Sequence, residues 1–438
     1  MHAWTHEAIA GLHADAPPLG DLLPWRWGEA DAVHVLADGS VGLAWRLPLL
    51  DAELLTPEQR EPMARALDGL LARLPAGVAF QVVLVSEPGR SRRLAEWAAA
   101  PNSHAPLLHA MAGARLAALH TSTSTAAAVR ELAVILTLRY WPPAVRGGAR
   151  WRRLARWASG PSAAGDAARA WRDTEAALAT CRVLVESQCR VAGIVPQRLD
   201  GAGLLAAVWP LLNPCGSEPP PRYRDDWALH TQATQTDHAF RPDGWTTSGL
   251  SPQMEGRMLS LLTLPAETWP GLVTLPRAVG GSGGLLDLPG TLWFTVAGHV
   301  LDQERAVAWL KLKRMLAFQQ RLTLLGDTAV ETTRIKGEID HLLDRAFAGG
   351  KRVCQAAAFL ACLAPPDRIG ELTEQARACF GQAEMRLYPE RLITLPCWLQ
   401  SLPLGYDPAL EHYAQRGRRL LSENLADLLP LYERRRAW

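Results

Sequence analysis

The chain has 438 residues, of which 48% are hydrophobic and 21% are charged, and its formal net charge is +2. This composition is typical of globular proteins with a sizeable core, and the length indicates two or three domains. The nearly neutral charge excludes a protein-wide attraction to nucleic acid or anionic membranes, so any basic surface must be local.

The first predicted unit, residues 1–88, is a β-hairpin followed by a helix and a strand. Two short apolar runs flank Asp38 and Gly39, a pair that favours a tight hairpin turn. Thr56 and Gln59 have the spacing of a capping box, and helical periodicity follows them. The apolar run 78–85 then predicts a buried strand. This succession indicates the α/β (α+β) fold class.

The middle of the chain, residues 89–213, is predicted to be mainly helical. Helical periodicity covers six ranges: 92–99, 107–119, 126–140, 151–157, 164–191 and 201–212. Asp200 is a plausible N-cap for the last of them. Residues 214–253 follow as a Pro-rich linker or loop, and the polar part 225–253 predicts little regular structure.

A second α/β unit is predicted over residues 254–402. Strands at 257–264 and 291–300 precede a helix capped by Asp302, and the later elements are a helix at 331–347, a buried strand at 353–363, a helix ending near Gly381 and a short strand at 384–387. The alanines of 353–363 would also suit a helix. Strand–helix–strand at this spacing predicts a ferredoxin-like sheet with helices on one face. Residues 403–438 are predicted to be a connector that follows this unit.

Nucleotide hydrolysis is not predicted for this chain. A motor needs the pattern G-x-x-x-x-G-K-[ST], which occurs nowhere in the sequence. The nearest match is Gly350-Lys351, where Arg352 stands in the Ser/Thr position. The Gly-rich run 280–284 contains no lysine and predicts a flexible loop. ATP and Mg²⁺ are expected only where an ATPase domain is present elsewhere.

Metal-binding and catalytic patterns are also not predicted. The seven cysteines form no C-x-x-C pair and predict buried free thiols in a reducing cytoplasm. His299 with Asp302 could suggest acid–base chemistry, but a helix cap explains Asp302 better. One helical face carries several acidic groups and a histidine, which we interpret as surface ion pairs rather than metal ligands: Glu331, Glu338, Asp340, His341 and Asp344.

The amino terminus lacks the pattern of a secretory signal, and no apolar run reaches the length of a membrane-spanning helix. These features predict a cytoplasmic protein.

The sharpest local charge feature is an arginine- and tryptophan-rich segment. It contains Arg146, Arg150, Trp151, Arg152, Arg153, Arg156 and Trp157. On a helix, Trp151, Leu154 and Trp157 would share one side. The segment suits contact with an anionic membrane or a membrane partner, and it also suits single-stranded DNA. The third interpretation is tryptophans anchored in the core beside solvated arginines.

Several segments resemble the TraC-like conjugative-transfer ATPases of type IV secretion systems. The residues that carry the resemblance are Leu22-Leu23-Pro24, the Asp38-Gly39 hairpin, Leu74-Pro75 with the strand at 82–86, Leu212-Asn213-Pro214, residues 257–263, the strand ending at Gly298, Ser401-Leu402-Pro403, and the stretch Arg418-Arg419 through Ser422, Asn424 and Tyr432. The last two resemble the stretches that precede the motor domain in that family.

The resemblance implies an N-terminal α/β platform without its P-loop motor, either a truncation or one product of a split gene. Such a platform would dock the motor, supplied in cis or in trans, to inner-membrane components of the secretion channel. It would lie at the cytoplasmic face of the inner membrane and could form a homo-oligomer. The alternatives are a nucleic-acid-binding accessory protein that uses the arginine- and tryptophan-rich segment and, ranked last, an unrecognised hydrolase.

Overall fold

The structure is a computed structural model. It describes residues 18–29, 31–52, 55–88, 106–122, 130–142, 163–214, 220–249, 253–265, 267–275, 284–323, 337, 340 and 350–433. Within these residues, no helix combines the length and hydropathy needed to cross a bilayer.

A large antiparallel sheet forms the centre of the molecule. Its strands are β1 (Trp25–Gly28), β2 (Val33–Leu36), β3 (Val41–Leu47), β5 (Val78–Pro88), β6 (Arg130–Tyr140), β7 (Gln197–Arg198), β8 (Asp237–Arg241), β9 (Gly244–Ser248), β10 (Met254–Thr263), β11 (Thr291–Val300), β12 (Val353–Ala364), β13 (Arg386–Pro389) and β14 (Arg418–Leu421). A separate parallel pair joins β4 (Leu50–Asp51) to β15 (Tyr432–Glu433).

The sheet consists of two halves with the same strand order. The main path runs β1-β2-β3-β6-β5-β11-β12-β10-β9-β8. Each half contributes five strands to this path. Numbered by their order in the chain, they follow one another from the outer edge to the centre as first, second, third, fifth and fourth. The halves meet at β5 and β11, which pair antiparallel with Val82 opposite Val296. The short strands β7 and β13 also pair with the third strand of their own half. An approximate two-fold axis perpendicular to the sheet therefore relates the halves.

Helices pack against both faces of the sheet. The helices of the described residues are α1 (Leu19–Leu22), α2 (Pro57–Arg73), α3 (Pro106–Ser122), α4 (Ala163–Val191), α5 (Gly201–Leu212), α6 (Leu229–Gln232), α7 (Gln303–Thr323), α8 (Ile369–Gln382), α9 (Thr394–Ser401), α10 (Glu411–Ala414) and α11 (Ser422–Leu428). The alternation of strand side chains separates two cores: Val82 faces the core that contains α2, α4, α8 and α11, whereas Val83 faces the core that contains α5 and α9.

The α/β (α+β) fold class predicted from the sequence is confirmed, and so are the local signals of the first unit. Val35 pairs with Val41 across the Asp38–Gly39 turn. The capping box forms at the start of α2, where the backbone N–H of Thr56 donates to Gln59 Oε1 over 2.9 Å. These features depend on residues close in sequence, which is why the sequence predicts them.

The predicted helix at 126–140 is wrong. Residues 130–140 form β6, which is hydrogen-bonded on both sides, to β3 and to β5. Val134, Ile135 and Leu136 are fully buried there. Burial on both sheet faces outweighs the helical preference of the neighbouring alanine, leucine and arginine residues.

The expectation of little regular structure at 225–253 is also wrong. This range contains α6 and the hairpin of β8 and β9. The turn between these strands contains Asp243, followed directly by Gly244. An Asp-Gly pair also predicts the first hairpin. At 243–244 the pair gives no such prediction, because the strand before it, β8, is polar rather than apolar, as suits a strand at the edge of the sheet.

The remaining predicted elements agree with the structure where it describes them. The helices at 107–119, 164–191 and 201–212 are α3, α4 and α5, and residues 353–363 form a strand rather than a helix. Asp200 caps α5 by accepting from Gly203 N over 2.7 Å. The predicted helices at 92–99 and 151–157 lie outside the described residues, as does most of 331–347. The helical middle, the ferredoxin-like detail and the domain boundaries stay predictions.

Candidate functional site

Residues 401–433, here called the carboxyl-terminal strap, make long-range contacts with both halves of the sheet. It follows α9 and contains α10, β14, α11 and β15. Its first residues, Ser401 to Tyr406, lie on the sheet face covered by α5 and α9, whereas α11 packs against α2 on the opposite face. The strap therefore contacts both layers of the molecule.

Gln81 on β5 binds the backbone of the strap with both ends of its side-chain amide. Its Nε2 donates to the carbonyl oxygens of Gln400 and Leu402 over 2.9 and 3.0 Å. Its Oε1 accepts from Tyr406 N over 3.1 Å. Gln81 is only 2% exposed, so no water competes for these groups. One amide thus fixes the beginning of the strap on the first half of the sheet.

Arg139 on β6 makes the second anchor. Its guanidinium donates to the carbonyl oxygens of Leu404 and Tyr406, both over 3.1 Å. The opposite edge donates to Ser40 Oγ and to Asp38 Oδ2 over 2.9 and 2.8 Å. Burial lowers the pKa of Arg139, and Asp38 opposes that shift. Burial would raise the pKa of Asp38, but Arg139 and Ser40 hold it below its usual value.

Indole and hydroxyl groups complete this contact. Trp25 Nε1 on β1 donates to the carbonyl oxygen of Pro403 over 2.8 Å. On β11, Trp293 Nε1 donates to Ser401 Oγ over 3.0 Å, and Thr295 Oγ1 donates to the carbonyl oxygen of Ser401 over 2.7 Å. The short stretch is therefore held by strands from both halves of the sheet.

The backbone of the strap passes too close to its neighbours for larger residues. A Cβ at Gly405 would overlap the carbonyl oxygen of Leu399, and a Cβ at Gly42 on β3 would overlap the side chain of Leu404. Leu404 itself has a φ of 62°. A non-glycine residue in this left-handed conformation costs about 1–3 kcal/mol, so the surrounding hydrogen bonds must hold it there.

The distal part of the strap is fixed by a partly buried ionic cluster. Lys351 Nζ contacts Asp68 Oδ2 on α2 and lies 3.4 Å from Glu423 Oε2. Ser422 Oγ donates to Asp68 Oδ1 over 2.5 Å. Burial would lower the pKa of Lys351, but the two carboxylates raise it. The lysine nearest to a P-loop pattern is thus paired with carboxylates of this chain.

A second carboxyl group of α11, that of Asp427, lies nearby and is half-buried. Burial raises its pKa to about 6, and negative charges that include Glu61 add to the shift. Thr268 Oγ1 donates to Asp427 Oδ2 over 2.6 Å, and Asn424 Nδ2 donates to the same hydroxyl over 3.0 Å. Beyond α11, β15 pairs with β4. Ion pairs, hydrogen bonds and strand pairing together hold this end of the strap.

The site residues predicted from the sequence are not part of this arrangement. Arg146, Arg150, Trp151, Arg152, Arg153, Arg156 and Trp157 all lie outside the described residues. Asp302 has the predicted capping role, since its Oδ1 accepts from Arg305 N over 3.3 Å. His299 lies 3.5 Å from the hydroxyl of Tyr406, and burial lowers its pKa.

Of the acidic helical face, Asp340 lies within the described residues, whereas Glu331, Glu338, His341 and Asp344 do not. The described part of the chain holds no group of three or more His, Cys, Asp and Glu side chains placed to bind a metal ion.

Sequence reasoning did not single out the residues that hold the strap. The available signal was a polar side chain inside an apolar strand: Gln81 between Phe80 and Val82, and Arg139 after Leu138. A buried polar group requires a hydrogen-bond partner, so such residues mark a contact. The sequence does not identify their partners in the strap, because Gln400 and Leu404 lie more than 260 residues away in the chain.

Comparisons with known proteins identify the family of this chain. The family model described as TraC protein matches residues 19–406. The conjugal transfer protein TrbE of Rhizobium radiobacter is 24% identical over 453 aligned residues, which cover 97% of this chain and 50% of TrbE. The chain thus spans half the length of that relative. Because the family model covers most of the sequence, the chain belongs to the TraC protein family.

Proposed function

We propose that this chain is a non-catalytic platform of a type IV secretion machine that transfers DNA by conjugation. It docks an ATPase motor to inner-membrane components of the channel and so supports pilus assembly and substrate transfer. The motor is supplied in cis or in trans, and ATP with Mg²⁺ binds to the motor. The platform itself lies at the cytoplasmic face of the inner membrane.

The observation that carries this proposal is the strap. Its beginning is bound by Gln81 and Arg139, and its end is bound by Asp68 and Lys351. A displacement applied at the end of the strap would therefore be passed to both sheet halves rather than absorbed by a flexible linker. Such a connection suits a platform that must hold a motor in a fixed position.

Affinity capture tests the proposal. The tagged chain is incubated with nuclease-treated, detergent-solubilised inner membranes from cells that carry a conjugation system, and captured proteins are identified by mass spectrometry. We expect secretion-channel membrane proteins to be retained. The triple variant Arg152→Glu, Arg153→Glu, Arg156→Glu should lose them if that segment is the contact. The matched control changes three exposed arginines elsewhere to glutamate: Arg65, Arg305 and Arg377.

The outcomes separate the candidate functions. Capture that survives nuclease supports the platform. Capture that needs DNA, together with DNA binding that falls steeply with salt, favours the nucleic-acid-binding accessory protein. Absence of channel proteins from the native capture would overturn the platform proposal. ATP hydrolysis by the purified chain would overturn its non-catalytic character.

A further inference from the structure

The two outer edges of the sheet are not equivalent, although the strand order is symmetric. The edge strand β1 is packed against α5 and α6. The other edge strand, β8, pairs with β9 on its inner side. Among the described residues, no backbone hydrogen bond reaches the outer side of β8. An open edge strand presents unpaired N–H and C=O groups to any other strand.

The hairpin register shows which backbone groups face outwards. Arg241 and Gly244 pair directly across a two-residue turn, which makes them a hydrogen-bonded pair. Hydrogen-bonded pairs alternate along the ladder, so Ala239 and Asp237 also point their backbone groups towards β9. The N–H and C=O groups of His238 and Phe240 therefore point away from the sheet.

The side chains of β8 divide between the two faces. Those of Asp237, Ala239 and Arg241 are exposed. Those of His238 and Phe240 are half-buried against Trp398, with ring centroids 5.6 and 5.2 Å from it. The exposed face of this edge thus carries an acid, a small residue and a base in that order.

We propose that β8 is a dimerisation edge, at which two copies of this chain pair antiparallel about a two-fold axis at Ala239. In this register, His238 and Phe240 of one copy face Phe240 and His238 of the second, so their free backbone groups bond to each other. Asp237 then lies opposite Arg241 of the second copy, and the reverse pair forms as well. Opposite charges directly across an antiparallel pair are stabilising.

The charges select this register over its neighbours. A shift by two residues in either direction keeps the backbone groups opposed, but it places Asp237 or Arg241 opposite Ala239 and leaves the charges unpaired. Arg241 now shares Glu255 with Arg257, at 3.0 and 2.7 Å, and its side chain is half-exposed. Glu255 therefore keeps a cation when Arg241 turns towards the second copy.

A disulfide cross-link tests the register directly. In a non-hydrogen-bonded antiparallel pair the Cα atoms lie about 4.5 Å apart, within the range a disulfide can bridge. We expect Ala239→Cys to form a reducible dimer under mild oxidation. Asp237→Cys is the control in the same strand, because its two copies would be roughly 13 Å apart. The native chain controls for its own thiols. Equal cross-linking of all three proteins would overturn the proposal.

Exchanging the charges of Asp237 and Arg241 tests whether the partner is a second copy of this chain. Asp237→Arg and Arg241→Asp should each weaken self-association by about tenfold or more, because each creates two like-charge pairs. A mixture of the two variants restores both opposite-charge pairs and should dimerise like the native chain in sedimentation velocity. Asp173→Arg on α4 is the charge-matched control. A native chain that stays monomeric together with an Ala239→Cys variant that does not cross-link, or a mixture without rescue, would refute the dimer. The test does not depend on the platform function.

Discussion

Substitution of Gln81 by leucine tests how firmly the strap is held. Leucine keeps a side chain of similar size in β5 but removes three hydrogen bonds, those to Gln400, Leu402 and Tyr406. The carbonyl oxygen of Leu402 keeps Gly405 N as a donor over 2.8 Å. The carbonyl oxygen of Gln400 and the N–H of Tyr406 are then buried without a partner, at a cost of about 1–3 kcal/mol each. Partial relaxation of the strap should leave a total loss of about 2–5 kcal/mol. This is a large fraction of the roughly 5–15 kcal/mol that stabilises a typical domain.

The loss is measured as a shift of the first unfolding transition in urea. Hydrogen exchange at Leu404 and Tyr406 shows whether the strap opens before the sheet. The control is Gln375→Leu on the exposed surface of α8, where Gln375 donates to Glu371 over 2.9 Å. That change should stay within about 0.5 kcal/mol. A loss below about 1 kcal/mol for Gln81→Leu would refute the reasoning, because water would then reach the freed carbonyl groups.

Three further perturbations probe the strap. Gly405→Ala should destabilise the chain by about 2 kcal/mol or more in urea, because the new methyl group overlaps backbone rather than a movable side chain. Lys351→Met should cost about 2–4 kcal/mol, because Asp68 is left buried without its cation, and a second change, Asp68→Asn, should recover part of the loss. Asp427 has a pKa raised to about 6, so the folded state binds its proton more tightly than the unfolded state. Its contribution is therefore fully present below about pH 4 and is lost as the pH rises through 6. Asp427→Asn should remove this pH dependence and stabilise the chain at pH 7.5 by about 2–3 kcal/mol.

Each of these predictions has a result that contradicts it. A wild-type urea midpoint for Gly405→Ala would mean that the strap backbone can move away at little cost. Equal losses for Lys351→Met alone and with Asp68→Asn would assign the effect to packing rather than to an unpaired charge. For Asp427→Asn, the difference from the native chain must grow between pH 4 and pH 7.5, and a constant difference would rule out titration of this carboxyl.

Local chemistry made part of the fold predictable. The hairpin at Asp38 and Gly39, the capping box at Thr56 and the cap at Asp200 each depend on residues within a few positions of one another. The sequence of β6 predicts a helix because its first residues favour helices, whereas its position between two hydrogen-bonded strands is a property of the whole sheet.

The candidate site was predictable only as a resemblance. The stretch from Ser401 to Pro403 was recognised as typical of the family, but its physical role depends on Gln81 and Arg139, which come from distant strands. No periodicity or turn signal connects residues so far apart in sequence. The symmetry of the sheet was hidden for the same reason, since it concerns the order of strands and not the spacing of residues within them.

The pairing of β5 with β11 also has a consequence for synthesis of the chain. A ribosome completes β5 at Pro88 and does not complete β11 until Val300, roughly 200 residues later. At 5–20 residues per second, the inner edge of the first half is exposed for about 10–40 s. During that time β5 is an apolar strand without a neighbour on one side, and nascent chains on the same messenger could pair through it. Chaperone binding to the first half during translation would prevent that misassembly.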